Sequence, residues 1–260
     1  MKNLLILFLT LFISISASYA KDMRFVQVDG TLYSANDSTS EQRLEKIIQD
    51  INSLNNVSFV IFSGNNISKP SNVNLLGFIK QAKKLKVPYY VTLGNKDVNK
   101  QKHFGKADYV ALLNKKVKTH KKILSPNYVF EKNKYIFIVV DGSKEFISNS
   151  MGYYRDDVLA WLDEQLTTYA DRNIVILQHF PIVPPAQKES RYTHKANKYL
   201  ELLSKHKNVK AVVAGHFGVN KEGVINNILH ISTADAPMYR IIDILDYDSD
   251  SPTFWSTIKQ

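Results

Sequence analysis

Six short segments hold the residues of this chain able to do chemistry. They are Asp29-Gly30-Thr31-Leu32, Ser63-Gly64-Asn65-Asn66, Leu93-Gly94-Asn95-Lys96-Asp97, Asp141-Gly142, Gln178-His179-Phe180-Pro181 and Ala214-Gly215-His216-Phe217-Gly218. Each follows an apolar run, and five of the six contain glycine, the residue that lets a backbone turn tightly and come close to a neighbour. Imidazole, amide and carboxylate are the donors gathered there, a set that holds divalent ions through nitrogen and oxygen. Cysteine is absent from the chain, which excludes disulfides, thiolate zinc, iron–sulfur clusters, thiol nucleophiles and a lipidated amino-terminal cysteine. Any metal must use His, Asn, Asp or Glu.

The elements that position these segments follow from periodicity. Residues 24–28, 57–62, 87–92, 135–140, 174–178 and 209–214 form short β-branched runs that read as buried strands. Between the first two, Ser38 with Glu41 three residues on predicts a capping box, and Leu44, Ile47, Ile48, Ile51 and Leu54 make one apolar helical stripe. Residues 74–86 and 156–169 repeat that pattern. Strands separated by helices predict an α/β sandwich; runs 228–232 and 239–245, with no helix between them, predict a closing antiparallel pair. No linker, repeat or low-complexity tract divides residues 21–260, so one domain is expected. In such sheets ligands bind beyond the carboxyl ends of the strands, where the six segments fall.

This layout resembles the calcineurin-like metallophosphoesterases, whose motifs read D-x-H, G-D, G-N-H-D, H and G-H-x-H at the ends of successive strands. The resemblance runs over residues 24–245 and implies an α/β sandwich of mixed sheets with flanking helices, carrying a two-metal centre that hydrolyses phosphate esters. Laid on those motifs, Gly30 and Leu32 stand where the first Asp and His belong, Asn65 at the bridging Asp, Lys96 at the proton-donating His and Gly218 at the last His. One metal thereby loses all four of its ligands. The other keeps Asn95, His179 and His216, with the neutral amide of Asn65 replacing the bridging carboxylate. These four residues are the expected vestigial metal site. It would hold at most one divalent transition ion, manganese, iron or zinc, and weakly, because an amide does not offset the charge of the ion. Asp29 lies one residue early, which aims it at the opposite face if the strand continues that far, while a loop there would bring it back.

Without a bridging carboxylate no hydroxide is held between two metals, and a lysine is too weak an acid to protonate a leaving group near neutral pH. No catalytic residue is therefore expected. Lys96 has two readings: a cation that draws an anion where phosphate once met metal, or a filler paired with Asp97. The resemblance leaves two functions of different class. One is a pseudoenzyme acting as a binding or scaffold module for an anionic or phosphorylated ligand; the other is a divergent single-metal phosphoesterase. The number of losses favours the first.

The formal charge is +10, and the excess is lysine, with 28 Lys against six Arg. Sequence-reading nucleic-acid sites favour Arg, so a specific nucleic-acid partner is not expected. With 21 Asn, the bias is also what an AT-rich genome writes into any surface. Between residues 80 and 122, 13 Lys face only Asp97 and Asp108, which suits an anionic envelope polymer or membrane surface as partner. At the amino terminus, Lys2 precedes an uncharged stretch from Leu4 to Ile15, and Ser18-Tyr19-Ala20 follows. Twelve helical residues reach about 18 Å against a hydrocarbon core of about 30 Å, so residues 1–20 read as a cleaved signal peptide rather than an anchor. No transmembrane segment remains after cleavage, and an extracytoplasmic location is expected.

Overall fold

The structure is a computed structural model that describes residues 23–116, 123–147, 149–245 and 250–260. The expected signal peptide lies outside the described residues, as does the 117–122 part of the lysine-rich stretch. Among the described residues no helix is long and apolar enough to cross a membrane.

Two mixed sheets pack face to face. The first runs in the order β11 (Thr253–Lys259), β10 (Tyr239–Leu245), β1 (Met23–Val28), β2 (Val57–Phe62), β3 (Tyr89–Val91); the second runs β4 (Tyr128–Lys132), β5 (Tyr135–Val140), β6 (Ile174–Gln178), β7 (Val209–Ala214), β9 (Ile228–Ser232), β8 (Lys221–Ile225). The parallel pairs are β1–β2–β3 and β5–β6–β7–β9, so the carboxyl ends of the chemistry-bearing strands share one edge of the sandwich.

Three apolar layers follow from the alternation of side chains across each strand. Phe25 and Phe59 of the first sheet meet Phe137, Val175, Leu177 and Val213 of the second in the middle layer. There Phe25 stacks on Phe59 at 5.0 Å, and the Phe137 ring stands edge-on to Phe59 at 4.9 Å. Outside the first sheet lie α1 (Ser38–Ser53), α2 (Asn72–Ala82) and α3 (Lys106–Lys116); outside the second lie α4 (Asp156–Thr168) and α5 (Ala196–Ser204). The apolar stripe of α1 is buried as its spacing requires, through Leu44, Ile47, Ile48 and Ile51.

Several local expectations are corrected. Ser38 does not cap α1: Asp37 does, its carboxylate accepting from Thr39 N at 3.0 Å, while Glu41 is drawn across to Gln81 of α2. Asp is as good a cap as Ser, and Glu41 finds a tertiary partner instead of its own turn. The second helix starts two residues earlier than expected, capped by Ser71, and ends at Ala82 because Asn52 then takes the backbone of Lys84 and Lys86. Residues 228–232 and 239–245 do not pair with each other. β9 joins the second sheet, whereas β10 joins the first, and the closing antiparallel pair is β10 with β11. Burial decides this, since β10 carries Ile242 and Ile244 into the middle layer beside β1.

Candidate functional site

The site lies where β1, β2, β3, β5, β6 and β7 end. Beneath it, Gln27 ties the sheets together, donating to Ser63 Oγ at 3.0 Å and to the Ala214 carbonyl at 2.8 Å while accepting from Thr233 Oγ1 at 2.6 Å. β1 ends at Val28, so Asp29 is free of strand alternation and turns into the site. Its Oδ1 accepts from Ser63 Oγ at 2.8 Å and its Oδ2 from His216 N at 2.9 Å, and its carbonyl accepts from Ala236 N at 2.8 Å. Oδ1 also lies 3.4 Å from His179 Nδ1. One fully buried residue at the end of β1 thus reaches the ends of β2, β6 and β7 through its carboxylate and the loop after β9 through its carbonyl.

Gly30 and Gly218, at two positions where the family motifs carry metal ligands, both face Asp235. Gly30 has φ +54°, and a Cβ there would lie 2.4 Å from Asp235 Oδ1; a Cβ on Gly218 would lie 3.6 Å from Asp235 Oδ2. The Asp235 carboxyl, from the loop joining β9 and β10, occupies the space between the two glycines. Burial, followed by the charge and hydrogen bond of Asp29, pushes it up to about 6. Leu32 at φ +48° donates its N–H to the Asn65 carbonyl at 2.9 Å and brings an apolar side chain where an imidazole is required.

At the second metal's place, His179 and His216 meet. His179 Nε2 is 3.1 Å from His216 Nδ1, and both rings are buried. Their outer nitrogens face backbone carbonyls: His179 Nδ1 is 2.8 Å from Ser63 O, and His216 Nε2 is 2.6 Å from Ser150 O. A carbonyl only accepts, so each ring carries its hydrogen outward and both inner nitrogens present lone pairs to one another. A proton shared between the rings would resolve that conflict. Burial pulls His179 down, but the Asp29 charge and hydrogen bonds to Asp29 and Ser63 outweigh it, so His179 sits above its ordinary value. Burial and the His179 charge push His216 down to about 2. A proton held between the rings is therefore favoured on His179 over His216.

Asn65 Oδ1 accepts from Lys96 N at 3.0 Å, closing the turn after β3, and Asn95 lines an outer cleft. Among the described residues no group of three or more His, Asp or Glu is arranged to hold a metal ion. The donor set does not fit a two-metal centre, since two of its positions are glycines facing a carboxyl and its bridging position is an amide committed to the backbone.

Lys96 does not pair with Asp97. The carboxyl of Asp97 turns inward, accepting from Gly94 N at 2.8 Å and Ile67 N at 3.0 Å, and burial outweighs these bonds to push it up to about 7. The Lys96 side chain is exposed. With Lys69 and Lys102, and with Asn95, Asn99 and Asn149, it lines a cleft of about 270 Å³. Ser150, whose carbonyl holds His216, is also in its wall. None of the ion pairs among the described residues uses these three lysines.

The profile of the calcineurin-like phosphoesterases matches residues 38–220, more than half of the chain. The chain belongs to the calcineurin-like phosphoesterase family. The matched span begins beyond Leu32, so the degenerate first motif falls outside it. Among curated relatives of the chain, a probable glycerophosphodiester phosphodiesterase of Arcobacter nitrofigilis is 24% identical over 70% of the chain, and a probable cyclic nucleotide phosphodiesterase of Xenorhabdus bovienii is 30% identical over 65%. The chain spans 64% of the length of each. Among solved structures, a dimetal phosphatase from Danio rerio superposes with a TM-score of 0.66 at 14% identity, covering 89% of this chain and 98% of that one. GAP50, described as the anchor in the inner membrane complex of Plasmodium, gives 0.59 at 14% identity, over 92% of this chain and 90% of that one. At these identities the shared property is the fold.

Sequence reasoning missed two participants, Asp235 and Ser150. Neither lies in a family motif. Asp235 sits on the connection between two strands that were expected to pair as a simple hairpin, and Ser150 contributes only its carbonyl, which no side-chain pattern reveals.

Proposed function

We propose that this phosphoesterase-fold chain binds a phosphate-bearing ligand without hydrolysing it. The observation that carries the reading is the Asp235 carboxyl seated between Gly30 and Gly218, in the space that the first metal of an active relative requires. A second carboxylate, Asp29, and a proton-sharing histidine pair close the rest of the former centre. What remains open is the cleft of Lys69, Lys96 and Lys102, of a size and charge suited to a phosphate group. Two curated relatives are named as probable phosphodiesterases, which supports a phosphodiester as the ligand class. The amino-terminal pattern supports export, and we place the protein outside the cytoplasm, as a binding or scaffold module in the envelope.

A second reading rests on one observation, the two inner lone pairs of His179 and His216 at 3.1 Å, which would accept a single metal ion in place of the shared proton. Two measurements separate the readings. Purified protein is assayed on mono- and diester phosphates with manganese, iron or zinc supplied; no turnover above background is expected, and turnover lost in His179→Ala or His216→Ala establishes the single-metal enzyme instead. Inorganic phosphate at a hundredfold excess over Kd should stabilise the fold by about 2.7 kcal/mol. That stabilisation should vanish in Lys96→Ala and survive neutralisation of Lys83 and Lys84; equal responses in all three proteins would refute phosphate binding in the cleft.

A further inference from the structure

The rim of the lysine cleft carries an exposed apolar pair. Phe146 is 59% exposed and Ile147 69%, at the crest of the connection after β5. Lys100 sets its ammonium 5.0 Å from the centre of the Phe146 ring, next to Asn99 and Lys102 in the cleft wall. The crest is held from beneath. The Glu145 carbonyl accepts from Lys100 N at 2.7 Å and its carboxylate from Lys106 N at 2.8 Å. Asp141 pairs with Lys106 Nζ at 2.6 Å and accepts from Ser143 N at 2.9 Å. The acids of this loop are thus spent on the protein itself, and Phe146 and Ile147 face solvent beside Lys100, two residues ahead of Asn149 and Ser150 in the wall of the cleft that Lys69, Lys96 and Lys102 line.

We propose that this rim docks on an anionic phospholipid bilayer, with Phe146 and Ile147 entering the acyl boundary and the cleft behind Lys96 receiving a headgroup phosphate, a placement that rests on phosphate binding in that cleft. Two chemistries on one rim decide for a bilayer. Lysines alone would serve any polyanion, but a soluble phosphate polymer leaves Phe146 and Ile147 in water, whereas a lipid surface offers hydrocarbon a few ångströms below its phosphates. An exposed apolar pair beside a cation-lined cleft matches that depth profile.

The absence of cysteine makes the test local to the rim, so that any insertion of residues 4–15 does not obscure it. An environment-sensitive fluorophore is attached to Ile147→Cys and, in a second protein, to Val224→Cys. Val224 is 67% exposed and pairs with Leu229 at the opposite end of the second sheet. The full-length labelled proteins are mixed with vesicles of equal phosphatidylglycerol and phosphatidylcholine, with pure phosphatidylcholine vesicles, and with soluble polyglycerol phosphate. The label at 147 should shift to the blue and be quenched by brominated acyl chains only with the anionic vesicles, while the label at 224 stays in water. Lys100→Ala with Lys102→Ala should lower the partition about 25-fold, about fivefold for each lysine removed from an anionic surface. A label at 147 that stays in water on anionic vesicles overturns the proposal, as does an equal shift with the soluble polymer. If inorganic phosphate still stabilises the protein in a Lys96-dependent way, only bilayer docking has failed; if that stabilisation is absent too, the cleft does not bind phosphate at all.

Discussion

Placing a methyl group on Gly30 measures how firmly Asp235 holds the former metal position. Two costs apply. The left-handed φ of +54° at Gly30 costs a residue with a Cβ about 1 to 2 kcal/mol. The new Cβ would also stand 2.4, 2.7 and 2.9 Å from three atoms of the Asp235 side chain, so that carboxyl must swing out of its buried seat, an overpacking cost of about 1 to 3 kcal/mol. Gly30→Ala should therefore lower the unfolding free energy by about 2 to 5 kcal/mol. With Asp235 already changed to Ala, the two closest atoms are gone and the cost should fall to about 1 to 2 kcal/mol, which leaves about 2 kcal/mol of coupling between the sites. Urea denaturation of the parent, both single variants and the double variant closes the cycle, with m-values compared to verify the same transition. Costs that add within 0.5 kcal/mol would show that Asp235 does not fill the space beside Gly30.

Restoring Gly30→Asp, Leu32→His, Asn65→Asp, Lys96→His and Gly218→His should return metal binding, measured by mass spectrometry of metal-soaked protein, only when Asp235→Ala is added; recovery without that change would contradict the occupied position. His230 is buried against the Pro181–Pro185 loop, its Nε2 lacks a hydrogen-bond partner among the described residues, and burial pushes it down to about 4. A group depressed in the folded state contributes its stability above the unfolded value near 6.5 and loses it as pH falls through the folded value, here up to about 3 kcal/mol between pH 6.5 and 4. Melting temperatures of His230→Leu should accordingly fall less steeply over that window than those of the parent, and parallel profiles would refute the assignment.

The buried strands were legible because β2, β5, β6 and β7 are mostly apolar, broken only by Ser58, Gln178 and Lys210, and lead into the chemistry-bearing segments. The edges were not. β8 is exposed at every residue, so its sequence carries no apolar alternation, although Asn226-Asn227, both at positive φ, is the turn that joins it to β9. Asn133-Lys134 marks the β4–β5 turn in the same way. At the site, spacing identified His179 and His216 but not their direct contact, which depends on how two sheets meet rather than on either strand. Asp235 was illegible for a related reason: its role is to fill a space left by two missing side chains, and a sequence displays residues, not vacancies.

The pairing of β1 sets an order of assembly. This strand lies between β2 and β10, and Arg24 holds Asp243 by two guanidinium hydrogen bonds across a separation of 219 residues. During synthesis β1 and β2 emerge early, yet one edge of β1 stays unpaired until β10 has been made. Closure across so long a loop is slow, and an apolar strand with a free edge is the kind of surface that chaperones hold and that aggregates recruit. Completion of the first sheet thus waits until nearly the whole chain has been made.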